Sequence, residues 1–464
     1  MKTANRIARR NLLKKTAETA IAAAAFPTIV SSSVLGFGPS PAPSDRIGVG
    51  CIGTGPQGTG VMNRFLAEKD ARVLAVCDVK EEQLQSARDR VNALYKNKDC
   101  ATHKDFRELV ARKDIDVVLV ATPDHWHTLA ALAALRAGKD TYCEKPLGLS
   151  LADRQMLREE TNRRKRIFQF GTQQRSDARF RRACEMVLNG RIGKLRHINV
   201  WAPGSTPGGS TKVVPVPETL DYGIWTGPAP YRPYTEDRCS ADSVKKTWWF
   251  ISDYTLGFIT GWGIHPMDIA LWGGGAELFS GPLQAEGFGR IPSEGACDTA
   301  TIWDVNLTFA SGVTLKFVGT PNGRNSGEPT GEPWPQEQEW RNHYRRIGTH
   351  GTAFEGTDGW VHVDRSGINA YPASLLEENP EAYKIQLKRS TGHVRDLLDS
   401  VKSRAPSICP IEEAVKADQT CHVADLALRL RRRLAWDPQK ERFLNDSEAQ
   451  ERIAARTMRP PWLL

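Results

Sequence analysis

The chain has 464 residues, with 63 Lys and Arg against 54 Asp and Glu, a net charge of +9, and nine cysteines. That length exceeds one ordinary core and predicts two domains of roughly 100 to 200 residues each. Six of the positives (Lys2, Arg6, Arg9, Arg10, Lys14 and Lys15) lie in the first 35 residues against Glu18 alone, so the rest is too near balance to argue for a nucleic-acid partner.

Residues 1–44 read as a signal and linker. ARRNLLKKTAETAIAAAAFPTIVSSSVLG has a basic start, an Ala-rich middle and a small-residue end, the layout of an export signal rather than of a ragged basic terminus. Arg9 and Arg10, followed by Asn11, Leu12, Leu13 and Lys14, resemble the twin-arginine address of proteins exported already folded. The expected location is therefore periplasmic or secreted. No apolar run is long enough to span a bilayer. The cysteines are odd in number and lack a C-x-x-C pair, so neither a metal site nor a disulfide framework is readable. Folding before export would keep such thiols reduced and buried.

Residues 45–172 alternate apolar strands with helical patterns and predict a doubly wound Rossmann sheet in an α/β fold. DRIGVGCIGTGPQGTGVMNRFL gives a strand from Ile47 to Ile52, a glycine turn, and a helix beginning near Gln57 or Gly58. Gly53, Gly55 and Gly58 form G-x-G-x-x-G: a tight turn, a close approach for a pyrophosphate, and close helix-to-strand packing. A second strand ends in Asp78, 20 residues after Gly58, where an acid suits the adenosine ribose hydroxyls. This favours NAD, although Lys80 keeps NADP open. IDVVLVAT reads as a strand buried on both faces. At its end Thr122, Pro123 and His127 reach the cofactor crevice, as do Gln57 and Glu144. Asp124 opens the next helix, and Ser150 and Asp153 are placed as a capping pair.

DTYCEKPLGLS puts Glu144 and Lys145 at a strand's carboxyl end, on the cofactor side. Oxidising an alcohol needs a base for the hydroxyl proton, and a positive nicotinamide nearby favours the uncharged amine. Pro146 stiffens the turn.

From Ile192 the texture changes. KLRHINVWAPG, TIWDVNLTFA, VTLKFVGT, YRRIGTHGTAFEG and WVHVD suit a mostly antiparallel, open-faced sheet in an α+β domain spanning 173–390. Two long irregular insertions interrupt it, GSTPGGSTKVVPVPETLDYGIWTGPAPYRPY and PNGRNSGEPTGEPWPQEQEW. His265 and Asp268 share one face of a helical turn. Residues 391–464 read as helices and a tail packing back on the body, with RLRRRL (Arg429, Arg431, Arg432, Arg433) as the solvated end of a helix. Thirteen tryptophans include Trp225, Trp248, Trp249 and Trp262 near the glycine-rich loops, where rings can stack on sugars or simply fill core.

On Gly53, Gly55 and Gly58, Asp78, Glu144-Lys145-Pro146, and Gly263 with His265 and Asp268, the chain resembles the glucose-fructose oxidoreductase and inositol dehydrogenase family, Gfo/Idh/MocA. The resemblance implies a nicotinamide-binding domain, an open-faced sheet domain and hydride transfer on a sugar or cyclitol. It makes Lys145 and His265 the proton-handling pair and Arg175 a candidate substrate or cofactor contact, while Asp268 is either a substrate contact or a cap or anchor of its helix. The family often has an aspartate where this chain has Gly261. Three functions compete: an exported sugar or cyclitol oxidoreductase, an NAD-using glycoside hydrolase or lyase working by transient ring oxidation, and a non-catalytic carbohydrate-binding protein. An exposed sheet face would suit a homo-oligomer.

Overall fold

The computed structural model describes residues 45–240, 247–321 and 334–462. The signal-like stretch 1–44 lies outside the described residues, as do 322–333 of the second insertion.

Six strands form the first sheet: β1 (Ile47–Ile52), β2 (Ala71–Cys77), β3 (Ala101–His103), β4 (Val117–Val120), β5 (Asp140–Cys143) and β6 (Phe168–Phe170). All neighbours are parallel, in the order β3-β2-β1-β4-β5-β6. β1, β4 and β5 are buried at every position, which is why they lack polar alternation. The order reverses at β1 and β4, where a doubly wound sheet opens its ligand crevice. Register brings the strand ends level: Ile52 pairs with Cys77 and Val120, and Val120 with Cys143. Gly53, Asp78, Ala121 and Glu144 therefore emerge side by side on one edge. The helix after the glycine turn starts at Pro56, slightly before the expected Gln57 or Gly58, because proline's fixed φ suits a first helical position. The predicted cap forms: Asp153 Oδ2 accepts from Leu149 N at 2.8 Å and from Ser150 Oγ at 2.9 Å.

The second sheet comprises β7 (Leu195–Pro203), β8 (Leu283–Arg290), β9 (Ile302–Phe309), β10 (Thr314–Thr320), β11 (Gly351–Gly356), β12 (Trp360–Asp364), β13 (Gly367–Tyr371), β14 (Leu434–Asp437) and β15 (Arg442–Phe443). Its order is β13-β12-β11-β7-β10-β9-β8-β14-β15. Only the β10 and β7 pair is parallel. Two expectations change here. The run from Tyr344 becomes strand only at Gly351. The C-terminal segment is not helix and tail alone, since β14 pairs with β8, Leu434 opposite Ala285, and extends the sheet.

The helix Ile411–Leu430 is buried on most of its surface and ties the halves together. Its Asp418 accepts from Leu147 N at 3.0 Å and pairs with buried Arg154 at 3.3 Å. The arginines after it, Arg431, Arg432 and Arg433, are exposed as expected, and two make surface ion pairs: Arg432 with Asp446 and Arg433 with Glu286, both at 2.9 Å. One apolar core runs from Ile52, Val120 and Phe170 to Ile198, Phe317 and Ala417. All nine cysteines are buried and free.

Candidate active site

Gly53 has φ +85°, and a Cβ there would lie 2.5 Å from Ala121 O. At Gly58 a Cβ would lie 1.9 Å from Gly53 O. Both positions therefore exclude any side chain. Gly55 differs: its Cβ direction is open apart from Gln83 Oε1 at 3.7 Å. It faces a cleft of about 320 Å³ lined also by Asp78, Thr122, Pro123, Glu144 and Lys145.

Asp78 Oδ2 accepts from Thr54 N at 2.8 Å and Thr54 Oγ1 at 3.1 Å, and Oδ1 from Lys80 N at 2.9 Å. Burial raises its carboxyl while these donors oppose the rise. Thr122 Oγ1 is buried without a hydrogen-bond partner among the described residues. The open face at Gly55, the acid at the end of β2 and this orphaned hydroxyl fit a dinucleotide. The first insertion, read from sequence only as irregular, covers the cleft. Glu81 N donates to Thr219 O at 2.9 Å and Asp221 N to Val79 O at 3.0 Å, which brings Ile224 and Trp225 to its wall beside Trp248 and Trp249.

A smaller cavity of about 120 Å³ continues from the cleft, lined by Gln57, Asp124, Lys145, Trp249, His265 and Arg365 among others. The Lys145–Pro146 peptide is cis. Lys145 Nζ donates to Gly261 O at 2.7 Å and stands over the Trp249 ring at 5.7 Å. His265 is buried and its Nδ1 has no partner among the described residues. Burial, then the charges of Arg365 and Lys145, holds its imidazole neutral, well below the usual range.

Several expected contacts take other roles. Glu144 is buried and accepts from Gln57 Nε2 at 2.8 Å and Gln173 Nε2 at 3.2 Å. It lines the cleft as expected and also orients two amides in the smaller cavity. His127 lines the cleft, but Nδ1 faces Pro146 O at 2.6 Å and Nε2 faces Thr122 O at 2.9 Å. Burial brings it down to about 4 against the pull of the two carbonyls. It fixes the turns that carry Thr122 and Lys145 rather than offering a polar atom to a ligand. Arg175 and Asp268 are placed on one another: Nε to Oδ2 at 2.8 Å and Nη2 to Oδ1 at 2.7 Å, both side chains buried. Glu413 adds a contact at 3.2 Å. The substrate role expected of this pair is corrected to an interior ion pair, because each satisfies the other's charge away from the cavity wall.

Asp124 was legible only as a helix opener, yet it lines both cavities with Lys145. Thr255 Oγ1 donates to its Oδ2 at 2.7 Å. Burial pushes its carboxyl up to about 7 against the pull of Lys145 and Thr255. Its place two residues after Thr122 was the available signal. Gln173 and Arg365 carried none.

The sequence model described as "Oxidoreductase family, NAD-binding Rossmann fold" matches residues 47–172, and its companion, "Oxidoreductase family, C-terminal alpha/beta domain", matches 201–276 and 376–464. The chain belongs to the Gfo/Idh/MocA family. Among curated relatives, the myo-inositol 2-dehydrogenase of Thermotoga maritima is 32% identical over 174 residues, 38% of this chain and 47% of the relative. Glycosyl hydrolase family 109 protein 2 of Shewanella sp. (strain ANA-3) is 32% identical over 152 residues, 30% and 33% of the two chains. The match thus spans less than half of either relative. The aldose-aldose oxidoreductase of Caulobacter crescentus, solved with glycerol, shares the fold with a TM-score of 0.59 and 17% identity, over 84% of this chain and 99% of that one. Among the described residues no helix is long and apolar enough to cross a membrane. This Gfo/Idh/MocA member thus combines a Rossmann cleft with a lysine-bearing cavity at its inner end.

Proposed function

We propose that this chain is an NAD-dependent oxidoreductase acting on a sugar or cyclitol hydroxyl, exported already folded and working with a retained nucleotide. The observation that carries the reading is Lys145, which lines the nucleotide cleft and the smaller cavity at once. A bound nicotinamide would supply the hydride acceptor. Gly53, Gly55, Thr122 and Asp78 would hold that nucleotide. Lys145 takes the proton from the substrate hydroxyl: its link to Gly261 O holds the amine in the wall of the cavity. Asp124, ionising near neutral pH, accepts that proton in turn. Neutral His265 offers a hydrogen bond to the substrate oxygen.

NAD over NADP is supported by the two nearby lysines. Lys80 Nζ is spent on Cys239 O at 2.7 Å and Lys104 on Glu81 at 2.9 Å, which leaves Asp78 as the charge where a 2′-phosphate would sit. Retention is supported by the insertion over the cleft, and export by Arg9-Arg10 together with nine buried thiols. The similarity to glycosyl hydrolase family 109 favours a second reading, in which a ring is oxidised and re-reduced around a bond cleavage. In both, the cofactor would be regenerated in place: in the first by handing the hydride to a second carbohydrate's carbonyl, in the second by returning it to the same ring.

The test uses protein purified from outside the cytoplasm. Denaturation should release a ligand with the mass of NAD(H), and turnover on sugars and glycosides should proceed without added nucleotide. A glycoside cleaved without net reduced cofactor selects the second reading. Lys145→Met should lower kcat by about two to four powers of ten with nucleotide content kept; an unchanged rate defeats the mechanism. Changing Arg9 and Arg10 together to Lys should hold the precursor in the cytoplasm, and continued export refutes that element.

A further inference from the structure

We propose that the substrate carries a carboxylate, as a uronic acid does, and that Arg365 reads it. The inference rests on the oxidoreductase reading and narrows its substrate class. Arg365 stands in the tight turn between β12 and β13 and lines the same cavity as Lys145 and His265. Its guanidinium lies over the Trp262 ring at 4.7 Å, which fixes the planar group at the rim. Among the described residues no carboxylate pairs with it.

The nearby acids are already engaged. Asp364, next in the chain, pairs with Arg346 at 2.9 Å and accepts from Ser366 N at 2.7 Å. Glu144 holds Gln57 and Gln173, and Asp124 holds Thr255. Arg64, on the helix that leaves the glycine turn, repels Arg365, and Glu144 attracts it without forming an ion pair. A guanidinium in the cavity wall with no carboxylate paired to it favours an anion, and its planar fork matches a carboxylate. The same wall presents two amides whose nitrogens are fixed on Glu144, which leaves their oxygens to accept from hydroxyls. Carboxylate reader plus hydroxyl acceptors describes a polyhydroxy acid.

Calorimetric titration of the NAD-loaded protein with D-glucuronate and D-galacturonate, against D-glucose and D-galactose, tests this. At least one acid should bind about 10- to 100-fold tighter than its neutral counterpart, the range of a charge-assisted hydrogen bond. Arg365→Met should erase that preference, Arg365→Lys should keep part of it, and neither should change NAD affinity. The proposal is overturned if no acid is preferred, or if Arg365→Met weakens acid and neutral sugar alike. Either failure with tight NAD binding leaves the oxidoreductase reading intact, whereas a wild-type protein that binds no nucleotide overturns both.

Discussion

Lys145 Nζ stands 2.7 Å from the main-chain oxygen of Gly261, the position at which the family resemblance leads one to expect an aspartate. A carbonyl orients the amine without adding a charge. A Cβ on Gly261 would meet only Phe258 Cδ1 at 3.5 Å, an ordinary contact, so Gly261→Asp should fold with little change in Tm. The added carboxylate would compete with the substrate hydroxyl for the lysine Nζ. kcat should therefore fall by about tenfold or more with nucleotide content unchanged, read from steady-state kinetics of variant and wild type. An unchanged kcat would show that position 261 does not govern the lysine.

Asp124 sets a pH dependence. Burial raises its carboxyl to about 7, and its base form is the one that accepts the proton, so kcat/KM should climb with pH through about 7. Asp124→Asn should abolish that rise along with most of the rate. Stability runs the other way. The folded state holds a proton that the unfolded state releases near about pH 4, so the stability contributed by the protonated acid is lost as pH rises from there to about 7. Urea titrations should find Asp124→Asn more stable than wild type at pH 8 and no more stable at pH 4. Equal effects at both would disprove the assignment.

Asp78→Ala should weaken NAD much more than NADP, because only the former relies on an acid at the ribose 2′-hydroxyl. The same change strips acceptors from Thr54 N, Thr54 Oγ1 and Lys80 N, so a fall in Tm should accompany it. Fluorescence titration with both reduced nucleotides gives the comparison; equal losses would mean that Asp78 only braces the turn.

Arg175→Met should unfold the protein more readily rather than change KM. It leaves Asp268 buried and unpaired, a cost of about 3–5 kcal/mol for a broken interior pair. Replacing both partners with apolar residues should recover much of that loss. A raised KM with unchanged denaturation would return the arginine to the substrate site.

The sequence alone determined the Rossmann half and the place of its cleft. Continuous apolar runs specify strands covered on both faces, and the glycine turn admits no side chain at Gly53 or Gly58, so β1, the turn and Asp78 are local facts. Lys145 was legible for the same reason, as a charged residue closing a buried strand. The second half was less so. β8 contains two glycines, β14 and β15 are four and two residues long, and they become strands only because the sheet edge supplies partners.

Tertiary structure decided which charged groups face the site. Arg175 and Asp268 looked like substrate contacts, but their bidentate pairing across 93 residues of sequence keeps them inside. Asp124 looked like a helix start, but the approach of Thr255 and Lys145 from distant segments puts its buried carboxyl at the junction of two cavities. Arg365 had no local signature at all. Burial and partner choice are properties of three-dimensional proximity, so periodicity and spacing can name the residue types of such a site without saying which are neutralised and which are left to meet a ligand.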